Sequence, residues 1–335
     1  MVVHAYAAYK PGDLLQPFSY EEAPLGPHDV EIKISHCGIC FSDIHMIDNN
    51  WGSSRYPLVP GHEIIGTVLE KGSEVHLLEK GSRVGIGWQR SACLNCAACK
   101  IGEDNFCPTR KATIIGHHGG YADKIRFDSR FVFPIPEALP SAGAASLLCA
   151  GATVYSPFRL FDVRPAMRVG IIGIGGLGHL AIQFASAMGC EVVAFSHSKG
   201  KEAEAKALGA NEFLLRSSSD ALKEAAHSFD FILATLDGDT DWTPLLALLG
   251  VRGRFCFVGA PKKPVSVSVE PLIHGGRSVS GSAIGSRAAV EEMLQFAARH
   301  NIKAQTEIMP MSAVNEAIAR VREGKVHYRM VLANE

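Results

Sequence analysis

Arg168-Val-Gly-Ile-Ile-Gly173-Ile-Gly175-Gly176-Leu177-Gly178-His-Leu-Ala-Ile-Gln-Phe-Ala-Ser-Ala-Met188 is the stretch that decides the fold class. Its opening, Arg168–Ile172, is a short apolar run of strand character. Its close sets Leu177, Leu180, Ala181, Phe184, Ala185 and Met188 at helical spacing, and Gly189 stops the helix. Between the two lies Gly-x-Gly-x-x-Gly. Glycine-rich turns are common and the pattern alone says little. Placed between a strand and a helix, it reads as the turn that carries a dinucleotide pyrophosphate. Gly173 permits the tight turn, Gly175 lets the backbone approach the phosphates, and Gly178 allows close helix–strand packing; Gly176 and Leu177 complete the loop. The helix N-terminus then offers free N–H groups and a positive dipole to the anion.

Downstream the alternation continues. Strands are predicted at Glu191–Phe195, Phe213–Leu215, Asp230–Ala234 and Arg254–Val258, and helices at Lys201–Leu208, Ala221–Ala226 and Trp242–Leu249. A last apolar pair covers Val265–Val269 and Ser278–Ser282. Alternating strands and helices predict an α/β, doubly wound parallel sheet over residues 151–286. The end of its second strand selects the cofactor. An NAD site usually carries Asp or Glu about 20 residues after the glycines. Here the chain reads Ser196-His197-Ser198-Lys199-Gly200-Lys201, with no carboxylate before Glu202. Two hydroxyls and two lysines can hold a 2′-phosphate through charge-assisted hydrogen bonds, which favours NADP(H). A solvated turn with Ser196 or Ser198 as a helix cap is compatible with the same residues.

Upstream, residues 1–150 have a different texture. Short β-type runs at Val30–Ser35, Ile64–Leu69, Arg83–Ile86 and Arg130–Phe133 are bounded by Pro27, Gly61, Gly81 and Pro134, which predicts an irregular, mostly β domain. Helices near Ala289–Arg299 and Ala313–Glu323 fall beyond the sixth strand. They are expected to pack back on the first domain, making it discontinuous, 1–150 with 287–335.

The chain has 9 cysteines. The odd number argues against a disulfide framework. Four of them form Cys93-x2-Cys96-x2-Cys99-x7-Cys107, a spacing that lets one lobe grip a tetrahedral Zn2+. Four thiolates leave the metal no open position, so the site is expected to be structural. Four unrelated thiols would be an unusual coincidence, and a redox dithiol pairs two cysteines, not four. Cys40, His62 and Cys149 are modest singly. A lone Cys in an apolar run is usually a small buried hydrophobe, and the spacings do not show that the three converge.

At 335 residues the chain has room for about two domains. Lys plus Arg is 33 and Asp plus Glu 34, a formal net charge of −1. That excludes a strongly basic nucleic-acid binder and an acidic disordered chain. No apolar run approaches the roughly 18 residues that span a membrane, and the start lacks the pattern of a signal peptide. A cytoplasmic location is expected.

Taken together, CGICFSD, YPLVPGHEIIG, VGIGW, the four-cysteine lobe, GGYADK, LLCAGATVYSP, GIGGLG and SVSGSAIGS resemble the zinc-dependent medium-chain alcohol dehydrogenase superfamily. Within it the chain resembles the cinnamyl alcohol dehydrogenase branch and its bacterial NADPH-dependent broad-range aldehyde reductases. The resemblance covers nearly the whole chain. It implies a GroES-like, mostly β catalytic domain beside a Rossmann cofactor domain, an active site in the cleft between them, and a homodimer joined through the cofactor-domain sheets. It also implies a second, catalytic zinc held by Cys40, His62 and Cys149, with Glu63 as alternate fourth ligand and Asp43 behind the His62 ring. Two thiolates and a neutral imidazole balance Zn2+ and leave a position for substrate.

The implied reaction is reduction of an aldehyde to a primary alcohol. The metal polarises the carbonyl, the nicotinamide hydride goes to carbon, and Ser42 supplies the proton, replenished through His45. Phe41 stands where some relatives have His. Trp51 and Trp88 resemble positions lining the substrate channel. Thr153 resembles a nicotinamide neighbour, and Ser282-Ala283-Ile284 the loop beside the cofactor. Cys37, Cys190 and Cys256 are read as buried fillers. Two rivals stand beside this reading. One is a quinone or enone reductase of the same superfamily without catalytic zinc; the other is a non-catalytic NADPH sensor with one structural zinc.

Overall fold

The computed structural model describes residues 1–334 other than Asp237, Asp239 and Lys262. The chain divides into two compact units, residues 1–152 with 285–335, and residues 153–284. Among the described residues no helix is long and apolar enough to cross a membrane.

The 153–284 unit is built on six parallel strands. In spatial order they are Glu212–Leu215, Glu191–Ser196, Arg168–Ile172, Phe229–Ala234, Leu249–Phe257 and Ser278–Gly281. Val169, Ile171, Ile172, Val192 to Phe195 and Ile232 to Ala234 are all buried. Such unbroken apolar runs mark strands covered on both faces. From Arg168–Ile172 the chain winds outward to one edge, then crosses to Phe229–Ala234 on the other side. That reversal opens a crevice at the carboxyl ends of the two central strands, where ligands of open α/β sheets bind. The helix Gly178–Ala187 follows the glycine turn and buries Leu180, Ala181, Ile182, Phe184 and Ala185 against the sheet. Burying each large apolar side chain of this kind contributes about 1.5–3 kcal/mol.

Two expectations are corrected here. The helix predicted over Trp242–Leu249 is a single turn, Thr243–Leu246, and Leu249 already begins the strand Leu249–Phe257. Leu245, Leu248 and Leu249 suit either period, and pairing decides: the Phe229 N–H donates to the Leu248 carbonyl at 3.1 Å. Val265–Val269 alternates like a strand, yet residues 263–268 form no strand or helix and Val269 opens the helix Val269–Gly275. The place beside Leu249–Phe257 is taken by Ser278–Gly281.

The other unit holds a seven-stranded, mostly antiparallel sheet. Its order is Thr306–Pro310, Arg329–Ala333, Asp29–Ile39, Glu63–Lys71, Arg83–Ile86 and Val132–Pro134, with Lys124–Asp128 also paired to Asp29–Ile39. The register sets Cys37 opposite both Ile64 and Leu332, and Gly38 opposite both Glu63 and Val331. The helix Arg287–Arg299 buries Met293, Leu294 and Ala297, and Val314–Arg322 buries Val314, Ala317 and Ile318. Arg130–Phe133, expected as a strand, is a tight turn over Ser129–Phe131 followed by Val132–Pro134. The Asp128 carboxylate accepts from the Arg130 N–H at 3.0 Å and holds that turn. Unforeseen elements include the antiparallel pair Val2–Ala7 and Gln16–Glu21. Another is the helical run Ser141–Ser146, which widens to a π-turn at Leu147–Gly151 and continues as Ala152–Leu160. Cys149 lies in the widened turn, a feature frequent at functional sites.

Candidate metal centres and cofactor site

Strand Asp29–Ile39 runs into Cys40, which caps the helix Phe41–Ile47. The Cys40 sulfur accepts from the Ser42 N–H at 3.5 Å, and Asp43 Oδ2 accepts from the Cys40 N–H at 3.0 Å. This reciprocal cap fixes where both side chains point. Asp43 Oδ1 accepts from the Gly61 N–H at 2.9 Å and from His62 Nδ1 at 2.8 Å. Gly61 has φ +99°, and a Cβ there would meet Tyr121 and Cys37 below 3 Å. With Nδ1 donating to Asp43, His62 Nε2 faces Cys149 Sγ at 3.2 Å, and Cys149 Sγ lies 3.9 Å from Cys40 Sγ. One ligand atom from each of Cys40, His62, Glu63 and Cys149 lies within 4.8 Å of the others.

Asp43, His62 and Glu63 are completely buried. Glu63 Oε1 pairs with the Arg329 guanidinium, which also donates from Nε to Ser146 Oγ at 3.3 Å. Glu63 Oε2 has no hydrogen-bond partner among the described residues. Burial pushes the Glu63 carboxyl up to about 7, against the opposing pull of Arg329. A hydrogen bond from Cys149, and then His62, hold the Cys40 thiol well below its ordinary range despite burial, while Cys149 is driven up as its partner. Burial opposes the charged form of His62, but the charge and hydrogen bond of Asp43 overcome it.

These donors fit zinc. A tetrahedral ion with Zn–S bonds of about 2.3 Å sets its sulfurs about 3.8 Å apart, close to the 3.9 Å between Cys40 and Cys149. The orphaned oxygen of Glu63 is a group that burial penalises unless a cation or a donor faces it.

The second cluster is local. Cys93, Cys96, Cys99 and Cys107 also place their sulfurs within 4.8 Å of one another, with Cys93–Cys99 at 3.9 Å and Cys96–Cys99 at 3.5 Å. Those separations exclude a disulfide and again match a tetrahedral edge. Backbone N–H groups point at the sulfurs: Cys96 to Cys93 at 3.2 Å and Cys93 to Cys107 at 3.4 Å. The Cys93 N–H bond brings the Cys107 thiol down to about 6, and the N–H groups of Asn95 and Cys96 lower Cys93, whereas burial and its thiol neighbours push Cys99 up to about 12. Among the described residues these two are the groups of three or more His, Cys, Asp or Glu able to hold a metal. Cys37, Cys190 and Cys256 are buried and belong to neither group, Cys37 lying behind Gly61 beside the first.

In the other unit, Gly173 has φ +98° and a Cβ on Gly178 would lie 1.8 Å from the Gly173 carbonyl oxygen. A Cβ on Gly175 would meet nothing within 4 Å. Two glycines thus serve the turn itself, and the third leaves open space over it, together with Gly176 and Leu177, which caps the helix. A phosphate fits that cradle at the N-terminus of a ten-residue helix. Ser196 ends its strand buried, its Oγ accepting from the Ser198 N–H at 3.1 Å; His197 is exposed and Ser198 half-buried. Lys201 Nζ reaches back to the Ile174 carbonyl at 2.5 Å, which holds its ammonium over the glycine turn. Thr153 is half-buried on Ala152–Leu160. Ser282, Ala283 and Ile284 follow the edge strand, with the Ser282 N–H on the Phe257 carbonyl at 3.0 Å.

Ser42 and His45 sit one turn apart on Phe41–Ile47 and so share a face. The Asn50 amide donates to His45 Nδ1 at 3.0 Å, which leaves the ring proton on Nε2. Trp51 lies 5.2 Å from the His45 ring and 6.0 Å, edge-on, from Trp88; Trp88 stands edge-on to His62 at 4.9 Å. Arg329 carried no signal in the sequence. It is an ordinary-looking arginine 266 residues from Glu63, and the pairing of Arg329–Ala333 with Asp29–Ile39 brings it there.

Two family descriptions match the chain: "alcohol dehydrogenase GroES-like domain" over residues 26–137 and "zinc-binding dehydrogenase" over residues 176–299. An aldehyde reductase of Synechocystis is 44% identical over 99% of both chains. A cinnamyl alcohol dehydrogenase from Sorghum bicolor superposes with a TM-score of 0.95 at 39% identity, covering 99% of this chain and 98% of that one. A cinnamyl alcohol dehydrogenase from Helicobacter pylori, solved with NADP(H), gives 0.91 at 32% identity with the same coverage. The chain therefore belongs to the zinc-binding medium-chain alcohol dehydrogenase superfamily, in its cinnamyl alcohol dehydrogenase branch.

Proposed function

We propose that this chain is a zinc-dependent oxidoreductase that reduces aldehydes to primary alcohols with NADPH, reversibly. The observation that carries the reading is the convergence of Cys40, His62, Glu63 and Cys149 around one point, with Asp43 fixing the imidazole. Cys40, His62 and Cys149 would hold the catalytic zinc, with Glu63 as alternate ligand, and Cys93, Cys96, Cys99 and Cys107 a structural one. When bound, the metal supplies Lewis acidity to the carbonyl oxygen and the reduced nicotinamide supplies the hydride.

The chain's own residues do the rest. Asp43 keeps the His62 Nε2 lone pair aimed inward, and the N–H groups of Gly61 and Cys40 keep Asp43 in place. Ser42, two residues from Cys40, donates its hydroxyl proton to the oxygen of the reduced product. His45, one turn further on and held in one tautomer by Asn50, replaces that proton from solvent. Trp51 and Trp88 offer aromatic walls suited to apolar aldehydes. Gly173 to Gly178 seat the pyrophosphate, and Ser196, His197, Ser198 and Lys201 surround the adenosine 2′-phosphate, with Thr153 and Ser282 to Ile284 toward the nicotinamide. Residues 1–150 with 287–335 form the catalytic domain and 151–286 the cofactor domain. Nine thiols without a disulfide suit the reducing cytoplasm. The edge strand Ser278–Gly281 is the surface through which two copies would pair as a homodimer.

The test is Cys149→Ser. Aldehyde-dependent NADPH oxidation should fall by about a thousandfold or more, with cofactor binding and thermal stability kept. Wild-type turnover in that variant would remove the residue from the mechanism. One zinc per wild-type chain in place of about two would favour the zinc-free enone reductase.

A further inference from the structure

We infer that Arg216, rooted beside Ser196, is a second cation for the adenosine 2′-phosphate together with Lys201, and contributes to the choice of NADPH over NADH. This rests on the cofactor reading above. Arg216 is the first residue after the strand Glu212–Leu215, which lies beside Glu191–Ser196 in the sheet. Its backbone N–H donates to the Ser196 carbonyl at 2.9 Å. Both strands therefore end at the same level, on the carboxyl rim where a ligand binds. The Ser196 strand thus has the glycine turn, with the Lys201 ammonium tethered to it, on one side and the Arg216 backbone on the other.

The guanidinium is poorly satisfied. It is half-buried, its Nε has no hydrogen-bond partner among the described residues, and its side-chain hydrogen bond among them is a long 3.5 Å from Nη1 to Oγ1 of Thr240, which follows the strand Phe229–Ala234. No described carboxylate pairs with it, and burial depresses its pKa without an opposing anion. A planar fork of N–H donors left this way costs free energy that a phosphate, with three acceptor oxygens, would offset. A lone surface lysine gives attraction without position; a lysine tethered to the glycine turn and an arginine rooted beside Ser196 bring two cations to one stretch of the rim. The pattern Ser196 to Lys201 shows only one side of this site.

The rival role for Arg216 is stacking on the adenine ring, which NADH and NADPH share. Calorimetric titration of the intact protein with 2′,5′-ADP and with 5′-AMP separates the two. Wild type should prefer 2′,5′-ADP. In R216Q and R216A, affinity for 2′,5′-ADP should drop about ten- to a hundredfold while 5′-AMP binds as before; R216K should lose less. Equal weakening of both nucleotides assigns stacking and overturns phosphate recognition. Unchanged 2′,5′-ADP affinity in R216Q overturns the inference alone. A wild-type protein that prefers 5′-AMP overturns the NADPH reading together with it.

Discussion

Asp43 uses both carboxylate oxygens, and each does a different task. Oδ2 closes the cap on Cys40, while Oδ1 holds the Gly61 N–H and the His62 ring. Asp43→Asn keeps the volume but replaces one acceptor by a donor, so either the cap or the imidazole loses its partner. Metal affinity should fall about ten- to a hundredfold, read as zinc retained after dialysis against a graded chelator series; a retention curve identical to wild type would deny Asp43 this role. Glu63 and Arg329 pose a different problem. Both are buried and each is the other's principal charge partner. Arg329→Met leaves a carboxylate without its cation and should destabilise the fold by about 3–5 kcal/mol. The double variant Arg329→Met with Glu63→Gln should recover much of that loss in denaturant unfolding. If the double variant is as unstable as the sum of the singles, the two side chains do not act as a pair.

At the scale of elements, the glycine turn separates geometry from ligand contact. A methyl at position 178 would strike the Gly173 carbonyl at 1.8 Å, whereas one at 175 enters open space. Gly178→Ala should lower the melting temperature as well as cofactor affinity. Gly175→Ala should melt within about 0.5 kcal/mol of wild type yet bind NADPH at least tenfold more weakly, because its methyl occupies the phosphate's approach; wild-type NADPH affinity would place the phosphate elsewhere. This turn was legible in the sequence because strand, glycines and helix are contiguous. So was the cysteine lobe, whose ligands span fifteen residues. The segment Trp242–Leu249 was misread because three leucines satisfy two periods and long-range pairing chose between them. Arg216 passed unnoticed because a strand-end arginine acquires its meaning only from the neighbouring strand.

For the whole molecule, what the sequence could not show is convergence. Cys40, His62 and Cys149 come from a helix cap, the residue before a strand and a π-turn, and only the sheet register and helical run bring them together; their roles came from resemblance, not spacing. The two candidate metal centres also depend on the fold in opposite ways. The first is walled by the buried core around Cys37, Ile64 and Tyr121. The lobe has little core of its own: its helix Ala97–Lys100 buries no residue, and Asp104, Asn105 and Cys107 are its buried members. It is tied to the body through the Gln89 amide on the Asp104 carbonyl at 3.1 Å and the Arg287–Asp104 ion pair at 3.5 Å. Binding energy of zinc to such a segment is folding energy. Cys99→Ser should therefore lose about one of two zinc ions, melt several degrees lower, and become cleavable by protease between residues 93 and 107. Cys149→Ser should lose the other ion, keep its melting temperature and stay resistant. The two variants form a reciprocal pair, measured by metal analysis, thermal melts and limited proteolysis on the same preparations. Protease resistance of Cys99→Ser in a chain that has lost its lobe zinc would mean that the surrounding contacts, not the metal, hold that segment.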